Sequence, residues 1–235
     1  MIDRLKMEKR AISFREKHGL GYTDPIKHLA LLDQLKVVAI FKPMSNNVSG
    51  MAIKVDEYRF MLINSEMPKG RQHFTIGHEL YHLFEQENFI MEICDSETFS
   101  KANKEEYLAD LFSSHLCLPN DGMLACIPED QMGRDKISLE TILNIEHYYK
   151  CSRTAVLYRL KELGLLSEHG AQSYKTEPAK SAISMGYSAD LYFPANQDRI
   201  IGNDYILMAE TLFEKNLIRE VDFLSLLKEV GDSRI

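Results

Sequence analysis

The spacing of apolar residues changes period several times along the chain, and each change marks an element. Residues 2–17 read as a charged helix that stops at Gly19 and Gly21. A second helix follows Thr23-Asp24-Pro25, with Thr23 or Asp24 as its cap, Pro25 in its first turn, and Ile26, Leu29, Leu32 and Leu35 at helical spacing. From 37 to 64 the pattern is that of strands. It runs through Val37–Lys42, a turn cluster at Ser45-Asn46-Asn47, and a hairpin of 49–54 and 58–64 turning at Val55-Asp56-Glu57. Helical period returns over 71–84 and over 105–118, the latter closed by Pro119. A polar, acidic stretch, 85–104, joins these two helices.

Further on, Ser138 caps a helix that runs to Tyr149, and 152–164 form another that ends at Gly164. Residues 172–181 are polar and read as a linker. Residues 187–201 have room for a short strand, and 204–217 and 219–230 are amphipathic helices without a chemical motif of their own. The order predicts an α+β fold. It has a domain over 1–170, with a small antiparallel or mixed sheet packed on the two helices of 71–118, and a linker with a small helical extension over 171–235.

The helix over 71–84 carries His78-Glu79-Leu80-Tyr81-His82. Residues four apart share a helix face. His78 and His82 can therefore offer two imidazoles to one ion, at about 2.0–2.1 Å if it is Zn²⁺. Glu79 is turned about 100° from His78, too far to chelate beside the pair but within reach of a water on the metal. This is the H-E-x-x-H arrangement, in which the metal polarises a water and the Glu takes its proton. Two histidines on a helix also occur as plain packing residues. Here the other faces are apolar, at Phe74, Ile76, Leu80, Leu83 and Phe84, so the pair is buried and needs partners.

A catalytic zinc site takes three protein ligands and keeps one position open. Glu106 can supply the third. Asp110, about 40° round from it, can accept the free N–H of a ligand histidine and orient the ring. Glu105 is the rival ligand; Glu106 is preferred because it shares a face with Asp110. His115 is about 180° round from Glu106 and faces away, and Cys117 is a weak alternative ligand.

His-Glu-Leu-Tyr-His followed by Glu106-x-x-Ala109-Asp110-x-Phe112-Ser113-x-x-Leu116-x-Leu118-Pro119 resembles the ImmA/IrrE family of metallopeptidases. The strand through Phe60 and Asn64, then Arg71 and Phe74, also fits, and the likeness covers residues 30–165. Gly77 and Ser113 depart from the usual Ala, Tyr81 from a common Gly, and Cys117 from a larger apolar residue. Tyr81 leaves open how roomy the cleft is. The resemblance implies a minimal zincin-like fold with His78, His82 and Glu106 on Zn²⁺ and Glu79 as general base. The same donors also suit Mn²⁺ or Fe²⁺. It implies a strand among those of 37–64 at the sheet edge, pairing with extended substrate, although most sheet edges bind nothing. His147, Tyr148 and Tyr149 are oxyanion donors by type only. The implied substrate is a helix-turn-helix repressor of the XRE type, cut in response to stress or mobile-element induction. The chain lacks the amino-terminal DNA-binding domain that some relatives carry fused, so the repressor would act in trans.

Composition narrows the alternatives. An apolar share of 45% with 27% charged residues is that of an ordinary globular protein. A net charge of −7 argues against broad non-specific binding to nucleic acid. No apolar run is long enough to span a bilayer, and the charged amino terminus has no signal-peptide core, so the cytoplasm is the expected location. Cys94, Cys117, Cys126 and Cys151 form no C-x-x-C pair and are expected to be reduced and structural. The helix pair within 138–166 resembles a helix-turn-helix, with Arg153, Arg159 and Lys161 on its second helix. Glu140, Glu146 and Glu162 nearly balance those cations, which favours packing on the peptidase over direct DNA reading. Three functions follow in order. The first is a zinc-dependent endopeptidase, the second a non-catalytic regulatory or toxin–antitoxin-type binding protein of the same fold, and the third a DNA-binding regulator acting through 138–166.

Overall fold

The computed structural model describes residues 2–87, 89, 91–95, 103–195, 199–202 and 204–232. Its first half runs α1 (Ile2–Lys17), α2 (His28–Gln34), β1 (Val37–Lys42), β2 (Val48–Val55), β3 (Tyr58–Asn64), α3 (Lys69–Phe84), β4 (Met91–Asp95) and α4 (Lys104–Cys117). The second half runs α5 (Asn120–Ala125), α6 (Leu139–Tyr149), α7 (Arg153–Glu162), α8 (Glu168–Ser173), α9 (Pro178–Ser184), β5 (Arg199–Ile201), α10 (Asp204–Glu214) and α11 (Glu220–Asp232). Among the described residues no helix is long and apolar enough to cross a membrane.

The strands form one mixed sheet in the order β4-β2-β3-β1-β5, with β1 parallel to β3 and the other pairs antiparallel. The hairpin closes on Asp56-Glu57, since Val55 pairs with Tyr58, and Asp56 takes the left-handed conformation at φ 51° that a short polar side chain tolerates. Buried Asn64 then fixes the loop before β2. Its Nδ2 donates to the carbonyls of Ser45 and Val48 at 3.1 and 2.8 Å, and its Oδ1 accepts from the Met44 and Glu66 amides, both at 3.1 Å.

The inner face of the sheet packs Val37, Ala39, Phe41, Met61 and Ile63 against Ile76, Leu80 and Leu83 of α3 and Leu111 and Phe112 of α4. This is the alternation of a half-buried sheet meeting the apolar stripe of a helix. A second cluster joins Phe74, Cys117 and Leu118 to Ile142, Ile145, Val156 and Leu160 of the α6–α7 pair. Two core clusters therefore meet where α3 crosses α4.

Four expectations change. The second helix begins at His28 after Lys27, with no side-chain cap. The preceding loop is held open, because Tyr149 Oη donates to Thr23 O at 2.7 Å and Arg15 Nη1 to Asp24 O at 3.0 Å. The polar stretch 85–104 contains β4, while its 96–102 part lies outside the described residues. None of the strands of 37–64 is an edge: β4 covers β2, and β5 covers β1 from Ala39 to Phe41. The stretch 172–181 is built in, since Arg153 donates to Tyr174 O at 2.9 Å and to Ser181 Oγ at 3.2 Å.

Candidate metal centre

α3 is threaded through the interior, and 12 of its 16 residues are buried. Burying a helix that holds polar groups requires partners for them, and α4 provides these. The two helices approach closely at Gly77, where an added Cβ would stand 2.5 Å from Ser113 Oγ and 3.1 Å from Cys117 Sγ. Ser113 Oγ donates to Phe74 O at 2.7 Å and stitches the crossing. Three departures from the family pattern thus touch one another. The bulk that Gly77 lacks is occupied by the Ser113 hydroxyl and the Cys117 sulfur.

Above this crossing the ligand atoms of His78, His82 and Glu106 all lie within 4.8 Å of one another. His78 Nε2 is 3.2 Å from Glu106 Oε2 and 3.1 Å from His82 Nε2, and His82 Nε2 is 3.2 Å from Glu106 Oε1. The far nitrogens are engaged. His78 Nδ1 donates to Asp110 Oδ1 at 2.8 Å, and His82 Nδ1 donates to Gln86 Oε1. With those protons on Nδ1, each neutral ring turns a lone pair, not a proton, toward Glu106. Three acceptors that converge in this way repel unless a cation lies between them. A tetrahedral ion with ligands at about 2.0–2.1 Å has donor–donor edges of about 3.3–3.4 Å, close to the separations found. The set therefore fits a divalent metal. Burial pushes the Glu106 carboxyl up, but protons on the facing imidazole nitrogens, in the positions an ion would take over, outweigh burial and hold it well below the usual carboxylate range.

Glu79 is fully buried and is not among the three donors. It lies beside β2, where a Cβ on Gly50 would meet its Oε1 at 2.6 Å and Thr75 Cγ2 at 2.6 Å. The β2–β4 register slips between Val48 and Gly50. A bulge of this kind re-aims side chains next to a site. Here Ser49 Oγ accepts from Arg71 Nη2 at 3.0 Å while Gly50 gives room to Glu79.

The remaining candidates sort cleanly. Glu105 is taken by Tyr81, whose hydroxyl donates to Glu105 Oε2 at 2.9 Å. The Tyr81 ring is in the core against Phe112, so its bulk is not in the cleft. His115 is buried on another side of α4, and burial, with Arg159 and Arg4 adding, pushes its ring down to about 3. Cys117 contacts His28 Nε2 at 3.7 Å and is not in the metal cluster. His147 packs on Tyr187, Tyr149 bonds Thr23, and Tyr148 is exposed against Tyr149. Arg153 and Arg159 are both buried, the first on Glu146 and the second on Leu118 O, Asn120 and Glu162, and Lys161 pairs with Glu168 at 2.8 Å.

Two residues at the site were missed from the sequence. Gln86 stands one turn after His82, so the spacing 78, 82, 86 carried a signal. Gly50 is a glycine inside a strand pattern, which marks a bulge or a close approach.

A small mixed sheet over a buried helix with His-Glu-x-x-His, completed by a carboxylate from the next long helix, defines the class: an α+β, zincin-like metallopeptidase fold. The chain belongs to the Peptidase M78 family, described as the IrrE N-terminal-like domain, whose profile matches residues 32–161. None of the curated proteins compared with it matches.

Proposed function

We propose that the protein is a metal-dependent endopeptidase in which His78, His82 and Glu106 hold the ion and Glu79 is the general base. The observation that carries this reading is the convergence of three acceptors within 3.1–3.2 Å while Asp110 and Gln86 hold the outer nitrogens of both rings. A bound divalent ion supplies Lewis acidity toward the scissile carbonyl and the attacking water. Glu79 takes the proton of that water and returns it to the leaving amine nitrogen. The close approach of Glu79 Oε1 to β2 at Gly50 limits where the carboxylate can sit, which supports a positioned base. Asp110 and Gln86 keep the imidazole lone pairs directed inward.

Zinc is the preferred ion for two nitrogens and one carboxylate, and Mn²⁺ or Fe²⁺ suits the same donors. Family membership supports a protein substrate, and we take it to be a helix-turn-helix repressor cut in trans in the cytoplasm. The buried guanidiniums of Arg153 and Arg159 speak for an internal role of the α6–α7 pair over DNA reading. The test is metal analysis of the purified protein, followed by cleavage of a co-encoded repressor with and without chelator. About one ion per chain and chelator-sensitive cleavage are expected. His78→Ala and His82→Ala should each lose the ion, and full retention by both would remove the site.

A further inference from the structure

A groove of about 360 Å³ lies at the amino-terminal end of α3, walled by Met67, Pro68 and Arg71 on one side, Thr154 on another, and Leu191 and Tyr192 on a third. Arg71, which lines it, links it to the surroundings of the metal centre along α3. Arg71 precedes His78 by seven residues, so it points within about 20° of the same face, about 10 Å along the axis. Its guanidinium holds Ser49 Oγ at 3.0 Å, next to the Gly50 that abuts Glu79, and feels the charge of Asp110, the partner of His78.

The third wall comes from the carboxy-terminal part of the chain and is fastened there. Tyr192 Oη donates to Glu146, which also receives Arg153. The Lys69 amide donates to Phe193 O at 3.1 Å, joining this wall to the first turn of α3. Leu191 is buried there. Unbranched Met67 adapts to what it faces.

We propose that this groove is a specificity pocket that receives an apolar side chain of the polypeptide substrate. The proposal rests on the peptidase reading above. An extended chain advances about 3.3 Å per residue, so about 10 Å places the pocket about three residues from the bond that is cut. The occupant is apolar because Met67, Pro68, Pro178, Leu191 and Tyr192 give the walls their apolar surface, while the arginines that also line it, Arg71 and Arg153, are engaged by Ser49 and Glu146. The region after residue 170 then acts in substrate recognition by forming one side of the pocket.

The experiment uses the full-length, metal-loaded protein and a mixture of peptides from a digested proteome, with cleavage sites read by mass spectrometry. Wild type should show enrichment of Leu, Ile, Met or Phe at one position two to four residues from the cut. Thr154→Trp fills the groove from the exposed first turn of α7, away from the metal. It should lower kcat/KM for those peptides by about 10–200-fold, mainly through KM, with metal content unchanged. Should that variant fail to fold, Met67→Ala widens the same wall and should shift the preference toward Phe and Trp. No positional apolar preference in wild type, or an unchanged one in the variants, overturns the proposal. If wild type cuts nothing, the peptidase reading fails on its own, and the peptides retained by metal-loaded Glu79→Gln decide the groove. Apolar peptides held by Glu79→Gln and lost on adding Thr154→Trp support it, and equal retention overturns it. A concentration-dependent dimer abolished by Thr154→Trp assigns the groove to a second copy and also overturns it.

Discussion

Each imidazole at the centre is oriented by a different acceptor: His78 by the carboxylate of Asp110, His82 by the amide of Gln86. Charge-assisted bonds are the stronger kind. Asp110→Ala is therefore expected to weaken metal affinity toward the upper end of the roughly 10–100-fold span usual for such partners, and Gln86→Ala toward the lower end. Competition with a chromophoric chelator measures both, and wild-type affinity in either variant would mean that its ring is held by something else. Gly50→Ala drives a methyl into Glu79 Oε1 and Thr75 Cγ2. With the ion retained, kcat should fall by about 10²-fold, the usual penalty for displacing a catalytic group by about 1 Å. A normal kcat would show that Glu79 is set by α3 alone. The grouping of His78, His82 and Glu106 was legible because helical period projects spacing onto a face. Gln86 sat in the same series but in a stretch read as a link, and Gly50 reaches Glu79 only through the tertiary fold.

The α3–α4 crossing is the element-scale counterpart. Gly77, Ser113 and Cys117 each looked like an isolated departure from the family pattern, and in space they are mutual neighbours. Gly77→Ala alone should cost about 1–3 kcal/mol, the usual penalty for overpacking. Adding Ser113→Ala should recover much of that loss in urea unfolding, although it gives up the bond to Phe74 O. Additive costs would show that the crossing relaxes by other means. The elements with strong internal pattern, α1, β1, the β2–β3 hairpin and α4, could be read from the chain. β4 was not read and β5 was placed only as a short strand within 187–201, because five- and three-residue strands owe their form to the partners they pair with, β2 and β1. The start of α2 was misplaced because Arg15 and Tyr149, remote in sequence, claim the carbonyls before it.

At the scale of the whole molecule, buried arginines act as internal ties. Arg15 donates to Leu116 O through Nε and Nη2, at 2.9 and 2.6 Å, and fastens α1 to the end of α4. Arg153 fastens the region after 170 to the α6–α7 pair. Charge balance pointed to packing of the α6–α7 pair, and Glu146 and Glu162 do hold Arg153 and Arg159, but nothing in the chain marked Arg15, since an arginine saturated by backbone carbonyls looks the same in sequence as a solvated one. The same ties bring Leu191 and Tyr192 toward the amino-terminal end of the metal helix. The central claim, that Glu79 acts on a metal held by its neighbours without holding it, is tested most directly by one rate. Metal-loaded Glu79→Gln and wild type are matched for ion content, and cleavage of the repressor substrate is timed for both. The account predicts equal metal occupancy, substrate still bound, and cleavage slower by about 10²–10⁴-fold. Cleavage at the wild-type rate would contradict it.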